Sequence, residues 1–320
     1  MFEIVFLGTS ASAPSIHRGL TSQVILAGEY RFMIDCGEGT QRQILRSGIG
    51  FKKLNHILLT HAHLDHILGL GGLISTFGRW EGDMDEVAIW GGKPALDRVE
   101  SLMFDVVFRN EKPPILIHLV TLKPGTFIET KQFSVTAFPV THRGQGNFGF
   151  VFEEYNRRPF LVEKAEALGV PAGPERARLV RGEAISLASG EVITPDMVLG
   201  EEIAGTKLVY VGDTGRTDNL REYAEQADTL VIESTFIDAD AEIAQQFGHI
   251  TARQAALLAL ESGAKTLILN HISRRYSERE VIQEARSVFP DTFVARDLDH
   301  YVIKRGEKAE KKVEATGHEQ

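Results

Sequence analysis

The chain has 320 residues, 43% hydrophobic and 25% charged, which is ordinary globular usage and allows one large α/β domain or two smaller ones. Its 35 Lys and Arg against 44 Asp and Glu give a net charge of −9, which argues against a general nucleic-acid binder but leaves room for a local basic patch. Cys36 is the only cysteine, so there is no intrachain disulfide and no thiolate cluster, and no apolar run approaches the roughly 18–20 residues of a membrane span.

From the N-terminus, "EIVFLG" (3–8), "QVILAG" (23–28) and "RFMIDCG" (31–37) are short apolar runs closed by Gly, as buried strands are. The first starts at once, without the basic stretch of a secretory leader, so a cytoplasmic location is expected. "EGTQRQILRSG" (38–48) reads as a helix; "HILLT" (56–60), "VAIWGG" (87–92) and "FSVTAFPVTH" (133–142) read as strands. Residues 155–200 break the pattern with a short helical piece, the Gly/Pro stretch "GVPAGPE" and a hairpin around "ISLASGEVI", so an insertion outside the core layers is expected. "KLVYVGD" (207–213), "TLVIES" (229–234) and "TLILNH" (266–271) are strands again. Between and after them fit the helix "TARQAALLALESG" (251–263), capped by Thr251, and "SEREVIQEARSVF" (277–289), opened by a Ser277/Glu280 capping box. Strands alternating with helices predict a layered α/β domain over 1–304, and the polar, mixed-charge residues 305–320 a disordered tail.

The chemistry concentrates in "LLTHAHLDHILGLGG" (58–72), which sets His61, His63, Asp65 and His66 within six positions. In an extended segment His61 and His63 share a face. Asp65 and His66 then turn toward a neighbouring position, so one loop can serve two metal ions. Three more candidate ligands sit where apolar runs stop: His142 after "FSVTAFPVT", Asp213 after "KLVYVG" and His271 after "TLILN". Open α/β sheets gather ligands at that end of their strands. Five His and two Asp exceed the roughly four ligands of one structural zinc and suit two ions bridged by a carboxylate, for which Asp213 is placed best. Nitrogen and oxygen donors without thiolate suit Zn2+, with Mn2+ or Fe2+ possible. Two ions about 3.5–4 Å apart activate a water and neutralise phosphoryl charge, which is hydrolytic chemistry.

"THAHLDH" with the later His142, Asp213 and His271 resembles the metallo-β-lactamase superfamily, whose fold is an αββα sandwich. "VFLGTSASAPS", "IDCGEGTQRQ", "FPVTHR", "VGDTGRT", "ESTF" and "LNHISRRY" resemble, in order, the motifs of the ribonuclease Z (tRNase Z) family. The resemblance implies such a sandwich with an inserted flexible arm (about 155–200), acting as a zinc-dependent endoribonuclease that cuts the 3′ trailer from precursor tRNA. It implies that His61, His63 and His142 hold one zinc, that Asp65, His66 and His271 hold the other, and that Asp213 bridges them, two Zn2+ per subunit. The resemblance also implies that Asp65 orients the attacking water and that Asp35 supports a ligand histidine. His249, in "FGHITARQAA", matches the family's proton donor to the leaving 3′-oxygen, and Glu233 is placed to fix its tautomer. His249 precedes the capped helix, whose positive end is expected to lower the pKa of the imidazolium.

The resemblance further implies a homodimer in which one subunit's arm serves the other's site. Arg157, Arg158, Lys164, Arg176, Arg178 and Arg181 are candidate phosphate contacts, interleaved with acidic residues. Two loops depart from the family pattern: "PSIHRG" (14–19) has Ile16 and Gly19 where lysine and asparagine are usual, and Ile250 follows His249 in place of serine. The alternative is a hydrolase of this superfamily acting on a small phosphodiester, sulfate ester or thioester, which has no need of an arm.

Overall fold

The computed structural model describes residues 1–79 and 84–312. Alternate residues of a strand face opposite sides, and in "FEIVFLG" both sides are apolar. Phe2, Ile4 and Phe6 enter one buried cluster, while Val5 and Leu7 enter another. A strand apolar on both faces has to be covered on both, and the same holds for most strands that follow.

Two sheets result. In the eight-stranded sheet Phe2–Gly8, Ser22–Ala27 and Tyr30–Ile34 form an antiparallel meander. His56–Leu58, Glu86–Gly91 and Leu116–Thr121 continue it in parallel, and His300–Ile303 with Glu310–Lys311 lie on the other side of Phe2–Gly8. In the seven-stranded sheet Gly125–Glu129, Phe133–Pro139 and Phe148–Glu154 are followed by the mutually parallel Lys207–Tyr210, Thr229–Glu233, Leu267–Asn270 and Thr292–Val294. Between the sheets pack Phe2, Phe6, Phe32 and Leu58 against Phe150, Phe152, Leu208 and Ile268. Outside the first sheet, Val5, Met33, Ile57 and Ile89 meet Ile44, Leu73, Ile74 and Val99 of the helices Thr40–Ser47, Leu70–Phe77 and Lys93–Glu100. Outside the second, Val209, Ile232 and Leu269 meet Ala252, Ala255, Ala256 and Ala259 of Ala252–Ser262 and Val281 of Glu278–Arg286. The order helix, sheet, sheet, helix is the αββα sandwich. Among the described residues no helix is long and apolar enough to cross a membrane.

Residues Glu154–Gly205 form a second compact unit. It contains the helices Val162–Ala167, Pro174–Val180 and Pro195–Val198, the hairpin Ile185–Ser186 with Val192–Ile193, and a small core of Ala165, Val170, Leu179, Ile185, Ile193 and Val198.

The expected disordered tail is corrected over its first half. Residues 305–312 are ordered because their backbone and side chains find partners: Glu310–Lys311 pairs with His300–Ile303, Gly306 N donates to Asp228 Oδ1 at 2.7 Å, and Ala309 N donates to Thr266 Oγ1 at 2.8 Å. Ala309 joins the inter-sheet core. Residues 313–320 lie outside the described residues. Truncation after Lys304 strips the fully buried Asp228 of Gly306 N and of Arg305, 3.5 Å away. It is expected to destabilise the protein by about 1–3 kcal/mol, read as a lower midpoint in thermal unfolding.

Candidate metal centre

Each ligand loop begins where a central strand ends. His56–Leu58 leads to His61, Phe133–Pro139 to His142, Lys207–Tyr210 to Asp213 and Leu267–Asn270 to His271. The histidine-rich loop is pressed onto the turn after Tyr30–Ile34. A Cβ at Gly69 would lie 2.1 Å from Gly37 O, so only glycine allows that approach. Asp35 and His271 have φ of 56° and 54°, a costly backbone region for such residues. Both leave their strands through it.

All seven candidate ligands meet. His61, His63, His142 and Asp213 each offer an atom within 4.8 Å of the others, as do Asp65, His66 and His271. His63 Nδ1 lies 2.9 Å from His61 Nε2 and 3.3 Å from His142 Nε2. Asp213 Oδ2 stands between the two sets. It is 3.5 Å from His61 Nε2 and 3.8 Å from His142 Nε2 on one side, and 3.6 Å from His66 Nε2 and 3.3 Å from His271 Nε2 on the other. Asp65 Oδ2 is 3.6 Å from His66 Nε2 and accepts from Ser12 N at 2.9 Å.

The imidazoles are oriented from behind. Asp35 Oδ2 accepts from His66 Nδ1 at 2.7 Å. Thr60 Oγ1 donates to Asp35 Oδ2, which leaves its oxygen to accept from His61 Nδ1 at 3.0 Å. Thr21 Oγ1 donates to Ser10 O and accepts from His271 Nδ1 at 2.7 Å. Gly248 O accepts from His142 Nδ1 at 2.6 Å. With Nδ1 protonated in all four, Nε2 carries the free lone pair, as a metal ligand requires. Of these supports only Asp35 is signalled by the sequence. Thr21, Thr60 and the Gly248 carbonyl are found by no spacing rule.

This donor set fits cations. His66 Nε2, His271 Nε2 and Asp213 Oδ1 are buried without a hydrogen-bond partner, and polar atoms so placed are costly unless something binds them. Burial pushes the pKa values of His61 and His271 down, favouring the neutral ligand form. Burial opposes charge on Asp213 as well, but His271, His66 and His61 outweigh it and hold the carboxyl well below the usual range. At His66 the burial is outweighed by Asp213 and Asp35, which raise its pKa, so a cation there displaces a proton.

His249 Nδ1 lies 2.9 and 3.1 Å from the two oxygens of buried Glu233. That carboxylate also accepts from Thr214 N at 2.6 Å and from Thr235 Oγ1. A ring nitrogen of His249 is within 4.8 Å of ligand atoms of Asp213 and His271. The expected lowering of the His249 pKa by the helix end is corrected. Burial does disfavour the imidazolium, but Glu233 overrides it and raises the pKa to about 9. A carboxylate in hydrogen-bond contact outweighs a partial dipole charge a turn away.

Around the site, Arg18 is not an open anchor: it donates to Thr9 Oγ1 and Ala295 O, each at 2.6 Å, and pairs with Glu278 at 3.2 Å. Ile16 is 94% exposed. In the second unit Arg158 pairs with Asp196, Arg176 with Glu166, and both Arg178 and Arg181 with Glu183.

Residues 2–161 match the family model described as Anti-Pycsar protein Apyc1, and residues 181–272 match the β-lactamase superfamily domain. The chain is 45% identical over 303 residues to "Ribonuclease Z" of Bradyrhizobium diazoefficiens, covering 95% of this chain and 100% of that one. It is 44% identical over 303 residues to "Ribonuclease Z" of Bradyrhizobium sp., with the same coverage. The human short-form tRNase Z structure superposes with a TM-score of 0.65 at 23% identity, covering 94% of this chain and 99% of that one, which establishes the fold. A sandwich of this order and relatives matched end to end lead to one conclusion: the chain belongs to the ribonuclease Z family of the β-lactamase superfamily.

Proposed function

We propose that this chain is a tRNA 3′-processing endoribonuclease that hydrolyses the phosphodiester joining the trailer to precursor tRNA. The observation that carries the reading is identity of 45% to a ribonuclease Z across that relative's whole length. The resident metal is zinc, two ions per subunit, with Mn2+ or Fe2+ able to replace it. His61, His63 and His142 would hold one ion, Asp65, His66 and His271 the other, with Asp213 between the two sets. When bound, the pair supplies Lewis-acid charge that makes a water nucleophilic and neutralises a phosphoryl oxygen.

The chain's own groups do the rest. Asp65 orients the attacking water, which adds to phosphorus as the bond to the 3′-oxygen breaks. His249, protonated at neutral pH, gives its proton to that oxygen. Glu233 accepts from Nδ1–H and so turns Nε2–H to the cleft. The enzyme works in the cytoplasm as a homodimer, and residues 155–200 contact the tRNA body. The arginine pairs there are solvent-screened and worth little, so phosphates can displace the carboxylates. A second reading, a hydrolase of a small phosphodiester on the same centre, rests on the match of residues 2–161 to a differently named family.

The arm separates the two readings. Glu153 and Lys207 are antiparallel register partners, so a short Asn-Gly turn can replace residues 155–205. That variant is expected to lose precursor-tRNA cleavage and to keep hydrolysis of bis(p-nitrophenyl) phosphate. Retained tRNA cleavage, or equal loss of both, counts against the RNA reading.

A further inference from the structure

The turn that carries His249 is gripped by two consecutive residues of another loop. The helix Ala241–Phe247 ends at Gly248, with φ 74°. His142, its Nε2 facing the ligand cluster, donates from Nδ1 to Gly248 O at 2.6 Å. Arg143 donates from its guanidinium to Gln246 O at 2.8 Å and lays the same group over the Phe247 ring, 5.0 Å from its centroid. A Cβ on Gly248 would meet Arg143 Cγ and His142 Nδ1, each at 3.4 Å, so the turn packs flush against both residues. Three successive residues, 246, 247 and 248, are therefore held just before His249. Phe247 is 44% exposed, and the cation above it accounts for an aromatic ring at that surface.

We propose that Arg143 is a positioning residue for His249, an inference that rests on the proposed role of His249 as proton donor. His142 holds Gly248 O and Glu233 holds the His249 ring, and neither reaches residues 246 and 247. Arg143, the residue after His142, holds Gln246 O, two residues before Gly248, and so fixes the approach to the turn. The guanidinium also satisfies a carbonyl at the helix C-terminus, where positive charge is favourable. Ligation at His142 and placement of His249 are thus joined through one pair of adjacent residues. Arg143 acts on the reaction through the imidazole and not by touching RNA.

The test uses metal-loaded full-length protein in four variants beside wild type: Arg143→Met, Arg143→Lys, His249→Ala and the double variant Arg143→Met/His249→Ala. Steady-state kinetics on a precursor tRNA with a mapped trailer are paired with amide hydrogen exchange over 244–250 without RNA. Arg143→Met, which keeps the apolar stem, is expected to lower kcat about 10- to 100-fold, the usual cost of a lost charged hydrogen bond. KM and metal content stay near wild type, exchange quickens at 246–249, and Arg143→Lys recovers part of the loss. In the His249→Ala background the Arg143 change costs nothing further, because coupled residues do not add. Losses that multiply, with KM raised, overturn the proposal and make Arg143 an RNA contact. Unchanged exchange in Arg143→Met overturns it as well. A wild-type chain that leaves precursor tRNA uncut overturns the functional reading instead, and the exchange measurement still decides the clamp.

Discussion

His249→Ala is expected to cut precursor tRNA about 10²–10⁴-fold more slowly than wild type while keeping its metal, the range that general-acid help is worth. The imidazole belongs to neither of the two proposed ligand sets, although a ring nitrogen comes within 4.8 Å of ligand atoms of Asp213 and His271, so metal content is measured beside turnover. The fold survives too. Buried Glu233 keeps the Thr214 amide and the Thr235 hydroxyl as donors when His249 is gone. The pH dependence is diagnostic. Glu233 raises the His249 pKa and bound cations would lower it, so the proton is lost as pH rises, at a point set by both. Wild-type kcat should therefore fall on the alkaline side, and His249→Ala should lack that fall. Equal turnover by the two proteins removes His249 from the mechanism.

How much of this was legible in the sequence follows from what each residue has to do. Four of the candidate ligands stood out because each ends an apolar run, His61, His142, Asp213 and His271, and the other three, His63, Asp65 and His66, follow His61 within five positions. The central strands were legible because they are apolar on both faces. Leu116–Thr121 and Gly125–Glu129 were missed because they are sheet edges, half-exposed, with no unbroken apolar run. Phe148–Glu154 was missed although five of its seven residues are buried, because it follows the Gly-rich stretch 144–149, which reads as loop. The strand at 310–311 was hidden by composition: a polar segment is ordered here by partners far away in sequence, Thr266 and Asp228. The same limit applies at the site. Thr21 supports His271 across 250 positions, a pairing that only the folded sheets create. The His249 pKa was misjudged for the same reason, since the local helix end is visible in sequence and the strength of the Glu233 contact is not.

Asp213→Ala is the more damaging change, expected to abolish cleavage by at least about 10⁴-fold, beyond what loss of an acid alone costs. One of its oxygens lies within 3.3–3.8 Å of four imidazole nitrogens, two from each ligand set. If Asp213 bridges as proposed, removing it would take a donor from both cations at once, and with it the negative charge that would let two dications sit close together. Asp65→Ala takes only one donor from one set, so it should lose water orientation and weaken one ion. Metal analysis by plasma mass spectrometry is expected to find two ions in wild type and His249→Ala, and fewer than two in Asp213→Ala. A second readout is independent of turnover. A ligand that binds only the folded state raises the unfolding midpoint, so chelation should lower the midpoint of wild type and leave Asp213→Ala almost unmoved. Asp213→Asn keeps the shape and one oxygen but not the charge, and should fall between the two. Two ions retained in Asp213→Ala, with an undiminished response to chelator, would end the case for Asp213 as the bridge.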